Sequence, residues 1–88
     1  MKAVHLIISG NVQGVFFRAN AKKEAIRLGL KGFARNLDNG NVEIIAEGDA
    51  MMIGEFVQFL RNSPGSSKVE NIHMSQKELE HFKDFEIK

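Results

Sequence analysis

The chain has 88 residues, 43% of them hydrophobic and 26% charged, with a net charge of +1 and no cysteine. That length and hydrophobic share suffice for one small domain with a single core, and the even mix of Lys and Glu leaves no basic run for DNA or a membrane surface. The lack of cysteine excludes disulfides, thiolate catalysis and cysteine-ligated metals, and no apolar stretch is long enough to span a bilayer.

Met1-Lys2-Ala3 leads into strand-like sequence rather than a signal peptide, so a cytoplasmic location is the default expectation. Residues 3–9 are β-branched and apolar and predict a first strand. A Gly-bounded loop follows, Gly10-Asn11-Val12-Gln13-Gly14-Val15-Phe16-Phe17-Arg18. Phe17, Ala21, Ala25 and Leu28 recur at helical spacing, and Gly29 is a natural stop, which predicts a helix over 18–28. Its other face carries Lys22, Lys23, Glu24 and Arg27 and reads as solvated.

Residues 30–37 predict a second strand, and Asn39-Gly40 a hairpin turn, because both residues accept positive φ. The third strand, 41–47, is expected to put Val42, Ile44 and Ala46 on one face and Glu43 and Glu47 on the other. Asp49 is placed to cap a second helix whose apolar stripe is Ile53, Phe56, Val57 and Leu60; Met51 and Met52 open it and are expected to pack. The only proline, Pro64, lies in a loop before a fourth strand near 68–74. A polar turn, Gln76 to Lys83, leaves room for a short last strand at 84–87. The order β-α-β-β-α-β predicts an α+β, ferredoxin-like sandwich over 1–88, an antiparallel sheet with two helices on one face. That fold hosts many activities, so function must come from a site.

The loop from Gly10 to Arg18 is the strongest site signal. It leaves a strand and opens a helix, where unpaired N–H groups and the helix dipole favour an anion. Arg18 adds a planar fork of donors in the first turn. Neither a Walker-type Gly-Lys-Ser/Thr ending nor a Gly-x-Gly-x-x-Gly fingerprint is present, so ATP-driven chemistry loses support. What remains is a cradle for one phosphate-sized group. The second candidate is Asn36, late in the second strand, which the topology can bring to the same sheet edge. Its carbonyl can accept from a water while its NH₂ donates to a phosphoryl oxygen. It also suits the start of the hairpin, and spacing alone leaves both readings open.

The segment Gly10-Asn11-Val12-Gln13-Gly14-Val15-Phe16-Phe17-Arg18 resembles the first signature of the acylphosphatase family. Gly32-Phe33-Ala34-Arg35-Asn36, followed by Gly40, Val42 and Gly48, resembles its second. Both fit without a gap, and the resemblance covers essentially the whole chain. It implies hydrolysis of acyl phosphates, with no cofactor and no metal. By position it implies that Arg18 and the N–H groups of Gln13, Gly14, Val15, Phe16, Phe17 and Arg18 bind the phosphoryl group, and that Asn36 positions water. Two positions depart from the pattern. Asn11 stands where many relatives carry a basic residue, which weakens long-range attraction of the anion. Asn39-Gly40 replaces Asp-Gly at the hairpin and preserves the turn chemistry.

The other candidates are weaker. His5, His73 and His81 show no ligand spacing and read as surface or sheet-face residues. Ser9 has no base to activate it and is expected to hold the loop by a hydrogen bond. Phe17 fits the core, whereas Phe16 is open to a role in an acyl pocket. A non-catalytic anion-binding module is the alternative function. RNA binding by this topology requires aromatic residues on the central strands, and 4–8 and 41–47 offer none. The expected partner is therefore a small-molecule acyl phosphate, with no nucleic acid and no membrane, bound by a monomer.

Overall fold

The computed structural model describes residues 1–88. Its elements are β1 (Lys2–Asn11), α1 (Phe17–Arg27), β2 (Lys31–Asn36), β3 (Val42–Gly48), α2 (Ala50–Arg61), β4 (Lys68–Lys77) and β5 (Phe85–Ile87). The strands form one sheet in the order β4-β1-β3-β2-β5. Both helices lie on one face, α1 over β2 and β5, α2 over β3 and β4.

Period-two patterning builds the sheet's inner face. Val4, Leu6 and Ile8 of β1 and Val42, Ile44 and Ala46 of β3 are all buried there. The two strands pair antiparallel, Leu6 opposite Ile44 and Ile8 opposite Val42. Helix α1 meets this face with Phe17, Ala21 and Ala25, and α2 with Ile53, Phe56, Val57 and Leu60. The small alanines let α1 approach closely, so the two large rings, Phe17 and Phe56, fill the space between layers. Burying a side chain of that size is worth about 1.5–3 kcal/mol. Asp49 caps α2 as its sequence position predicts, accepting from the N–H groups of Met51 at 2.9 Å and Met52 at 3.4 Å.

The structure departs from the sequence reading at several points. Helix α1 begins at Phe17 and ends at Arg27, with Leu28 as its C-cap, a shift of one residue at each end. Strand β4 runs on to Lys77, because Gln76 and Lys77 still pair with Val4 and Ala3. The sheet is mixed rather than wholly antiparallel, since β5 pairs parallel with β2. Met52 packs against the core, but Met51 projects into solvent at 76% exposure.

Glu47 is the largest departure. It is only 1% exposed, although its strand position puts it on the polar face. The segment between β4 and β5 crosses that face and buries it. Glu47 accepts there from the main-chain N–H groups of Glu80 and Phe82, the latter at 3.0 Å. The Phe82 ring meets Phe33 edge-on, with centroids 5.9 Å apart. The stretch expected as a polar turn is therefore a strap over the outer sheet face.

Beside the strap, the outer face carries a polar chain across three strands. His5 Nε2 lies 2.7 Å from Glu43 Oε2, and Arg35 donates to Glu43 Oε1. Partial burial pushes the Glu43 carboxyl up, but the hydrogen bonds from His5 and Arg35 outweigh it and hold it below its ordinary value. His5 is thus a sheet-face residue as expected, with a carboxylate partner that sequence spacing did not reveal.

Candidate active site

The bend that makes the site begins in β1. The register with β4 shifts between Ser9 and Gly10, a bulge after which the strand end stays paired with β4 but no longer with β3. Gly10 has φ +125°, and a Cβ there would lie 2.2 Å from the Lys68 carbonyl oxygen, so only glycine fits. Ser9 sits at this bulge opposite Asn71, and its part is main-chain pairing rather than the expected side-chain bond. Asn11, the last residue of β1, is the cross-strand partner of Lys68, which brings a positive charge back to this edge.

The loop then alternates in handedness. Gly14 has φ +74° and Phe16 φ +59°, with negative φ at Val15 between them and helix from Phe17 on. Such alternation turns successive N–H groups to one side and forms an anion-binding concavity. Helix α1 has no side-chain cap and no acidic residue in its first turn. Its first turn closes with Asn20 N–H to the Phe16 carbonyl at 3.0 Å, so the N–H groups before Asn20 have no partner inside the helix. Val12 and Phe17, each 1% exposed, pin both sides of the loop into the core.

Across the loop stands the β2–β3 hairpin. Gln13 bridges the two: its Nε2 donates to the carbonyls of Leu37 and Asn41, both at 2.8 Å. Asn36, at the end of β2 and immediately before Leu37, faces the same space. Its Oδ1 is buried and has no hydrogen-bond partner. A buried acceptor left unpaired costs about 1–3 kcal/mol, which marks this oxygen as a place for a bound water or ligand.

Gly14, Phe16, Phe17, Arg18, Asn36 and Ile87 line one open cavity of about 280 Å³. The structure therefore brings Arg18 and Asn36 together, along with Gly14, Phe16 and Phe17 of the loop. Of the other loop residues singled out by sequence, Val15 packs partly against the core and Gln13 works as the bridge to the hairpin. Arg18 Nη1 donates to the Lys88 main-chain oxygen at 2.7 Å, which fixes the guanidinium at the cavity rim. Three features around the cavity were missed from sequence. Ile87 and Lys88 arrive through the parallel pairing of β5, and the Gln13 bridge spans more than twenty residues; none of the three leaves a local pattern.

The "Acylphosphatase" family model matches residues 4–87. An acylphosphatase of Dehalococcoides mccartyi is 41% identical over 90 residues, covering 100% of this chain and 99% of the relative. One from Bacillus pumilus is 42% identical over 85 residues, covering 96% of this chain and 94% of the relative. The crystal structure of acylphosphatase from Bacillus subtilis superposes with a TM-score of 0.96 at 38% identity, covering 99% of this chain and 98% of that one. The likeness spans nearly the whole chain, and the chain belongs to the acylphosphatase family.

Proposed function

We propose that this cavity hydrolyses the carboxyl–phosphate bond of acyl phosphates by direct attack of water, with Arg18 and Asn36 in the central roles. The observation that carries this reading is the unpartnered Asn36 Oδ1, buried in the wall of the cavity that Arg18 borders. In this reading the N–H groups of residues 13–18 and the Arg18 guanidinium hold the phosphoryl oxygens. Asn36 Oδ1 accepts from a water and aims its oxygen at phosphorus, opposite the leaving carboxylate. The P–O bond to the acyl group breaks as the new P–O bond forms, giving a carboxylate and inorganic phosphate.

The site's composition supports this division of labour. No Asp, Glu or His lines the cavity, so the proton of water passes to a phosphoryl oxygen of the substrate. A carboxylate leaves without a general acid. Phosphoryl transfer rests mostly on positioning and on charge stabilisation, and one preorganised donor is worth roughly 10²–10³ in rate. The described residues form no group of three or more His, Asp or Glu that could hold a metal ion, and the reading needs none: turnover is expected to persist in excess chelator. It also treats the protein as a monomer, which sedimentation checks.

Two variants separate the roles. Arg18→Ala should lose both turnover and competitive inhibition by inorganic phosphate. Asn36→Ala should lose kcat by roughly 10²-fold, with the phosphate inhibition constant within about threefold of wild type. Equal loss of phosphate affinity in both would refute the assignment, and an inactive wild type would favour the anion-binding alternative.

A further inference from the structure

Phe16 is the most exposed large apolar side chain in the molecule, at 82%. It also has left-handed backbone, φ 59° and ψ 23°, a region that bulky residues avoid. The alternating loop requires that conformation, and glycine would supply it without strain. The phenyl ring adds no core packing in return, for it lies outside the buried cluster. Phe16 lines the cavity, and the other exposed large apolar side chain in that lining is Ile87, at 41%. The cavity lining thus combines two chemistries: Arg18, Asn36 and the loop's free N–H groups, and the exposed apolar side chains of Phe16 and Ile87.

An acyl phosphate likewise has two parts, an anionic phosphoryl end joined to an acyl end. We propose that Phe16 and Ile87 form the acyl subsite and select substrates with a flat or branched apolar acyl group over small ones. This rests on the catalytic reading above, since it takes the phosphoryl end to lie in the cradle. The carbonyl carbon then points outward along the cavity, and an aromatic acyl ring meets the Phe16 ring at the mouth. Ring pairs of this kind prefer edge-to-face or offset contact, and are worth about three- to tenfold in affinity beyond area burial.

The test is the ratio of kcat/KM for benzoyl phosphate to that for acetyl phosphate. The two share their phosphoryl end, so damage to the cradle affects both and cancels. Phe16→Ala and Ile87→Ala should each lower the ratio, Phe16→Ala by about three- to tenfold, and Phe16→Tyr should keep it near the wild-type value. A ratio within twofold of wild type in both alanine variants overturns the subsite. If the wild-type protein turns over neither substrate, the catalytic reading fails first and the subsite with it. A wild type that is active but shows no dependence on Phe16 or Ile87 refutes the subsite alone.

Discussion

Removing the Gln13 amide separates the two halves of the site without touching the substrate. Gln13 Nε2 makes two hydrogen bonds at 2.8 Å, to Leu37 and Asn41. Neither carbonyl is orphaned by Gln13→Ala, because Leu37 O still accepts from Gly40 N at 3.2 Å and Asn41 O from Leu37 N at 2.8 Å. The loss is therefore that of two ordinary bonds, about 1–2 kcal/mol in all, rather than the larger penalty of buried unpaired groups. In a domain of this size that lowers Tm by about 4–8 °C per kcal/mol. Activity should suffer more than stability suggests. Asn36 is covalently joined to Leu37, and misplacement by about 1 Å can reduce rate by 10²-fold. Thermal melts and steady-state assays at 25 °C, where the variant stays folded, measure the two effects apart. The expected result is a modest fall in Tm with a large fall in kcat. An unchanged kcat despite a lowered Tm would show that the hairpin holds Asn36 unaided, and would refute the bridging argument.

Other perturbations follow from the same structure. Gly10→Ala forces a Cβ to 2.2 Å from the Lys68 carbonyl, so β4 must shift; we expect a loss of about 2 kcal/mol or more, read by urea unfolding. Glu47→Ala leaves the Glu80 and Phe82 N–H groups facing a cavity and should cost about 3 kcal/mol, with the strap's amide protons exchanging faster. Glu43 has a lowered carboxyl pKa in the fold, so its contribution is present above its unfolded pKa and is lost as pH falls through the folded one. Melting temperature should fall across that acid range, and Glu43→Gln should flatten that part of the profile.

Much of the fold was legible because its signals are local. The inner-face alternation of Val4, Leu6 and Ile8, the Asn39-Gly40 turn and the Asp49 cap each specify structure within a few residues. The site was legible where it is local too: a strand, a glycine loop, a helix start and Arg18 stand together in the chain. What escaped the sequence depends on partners far away. Glu47 looks solvated until residues 78–84 fold over it, and the parallel edge strand that delivers Ile87 has no turn to announce it. The sequence leaves Phe16 open to a role in an acyl pocket but shows neither its exposure nor its left-handed backbone, because handedness is set by the loop as a whole. Spacing alone leaves Asn36 between two readings, and only the folded hairpin shows that it lines the same cavity as Arg18.

In the proposed site, one phosphate-sized anion sits on the N–H groups of residues 13–18, under Arg18 and next to Asn36. Titrating the ¹⁵N-labelled protein with inorganic phosphate tests it most directly. Saturable shifts are expected, concentrated at the amides of residues 13–18, the Arg18 side chain and the Asn36 side-chain amide, all abolished in Arg18→Ala. Saturable shifts centred elsewhere, or shifts at the loop that survive loss of Arg18, would contradict it.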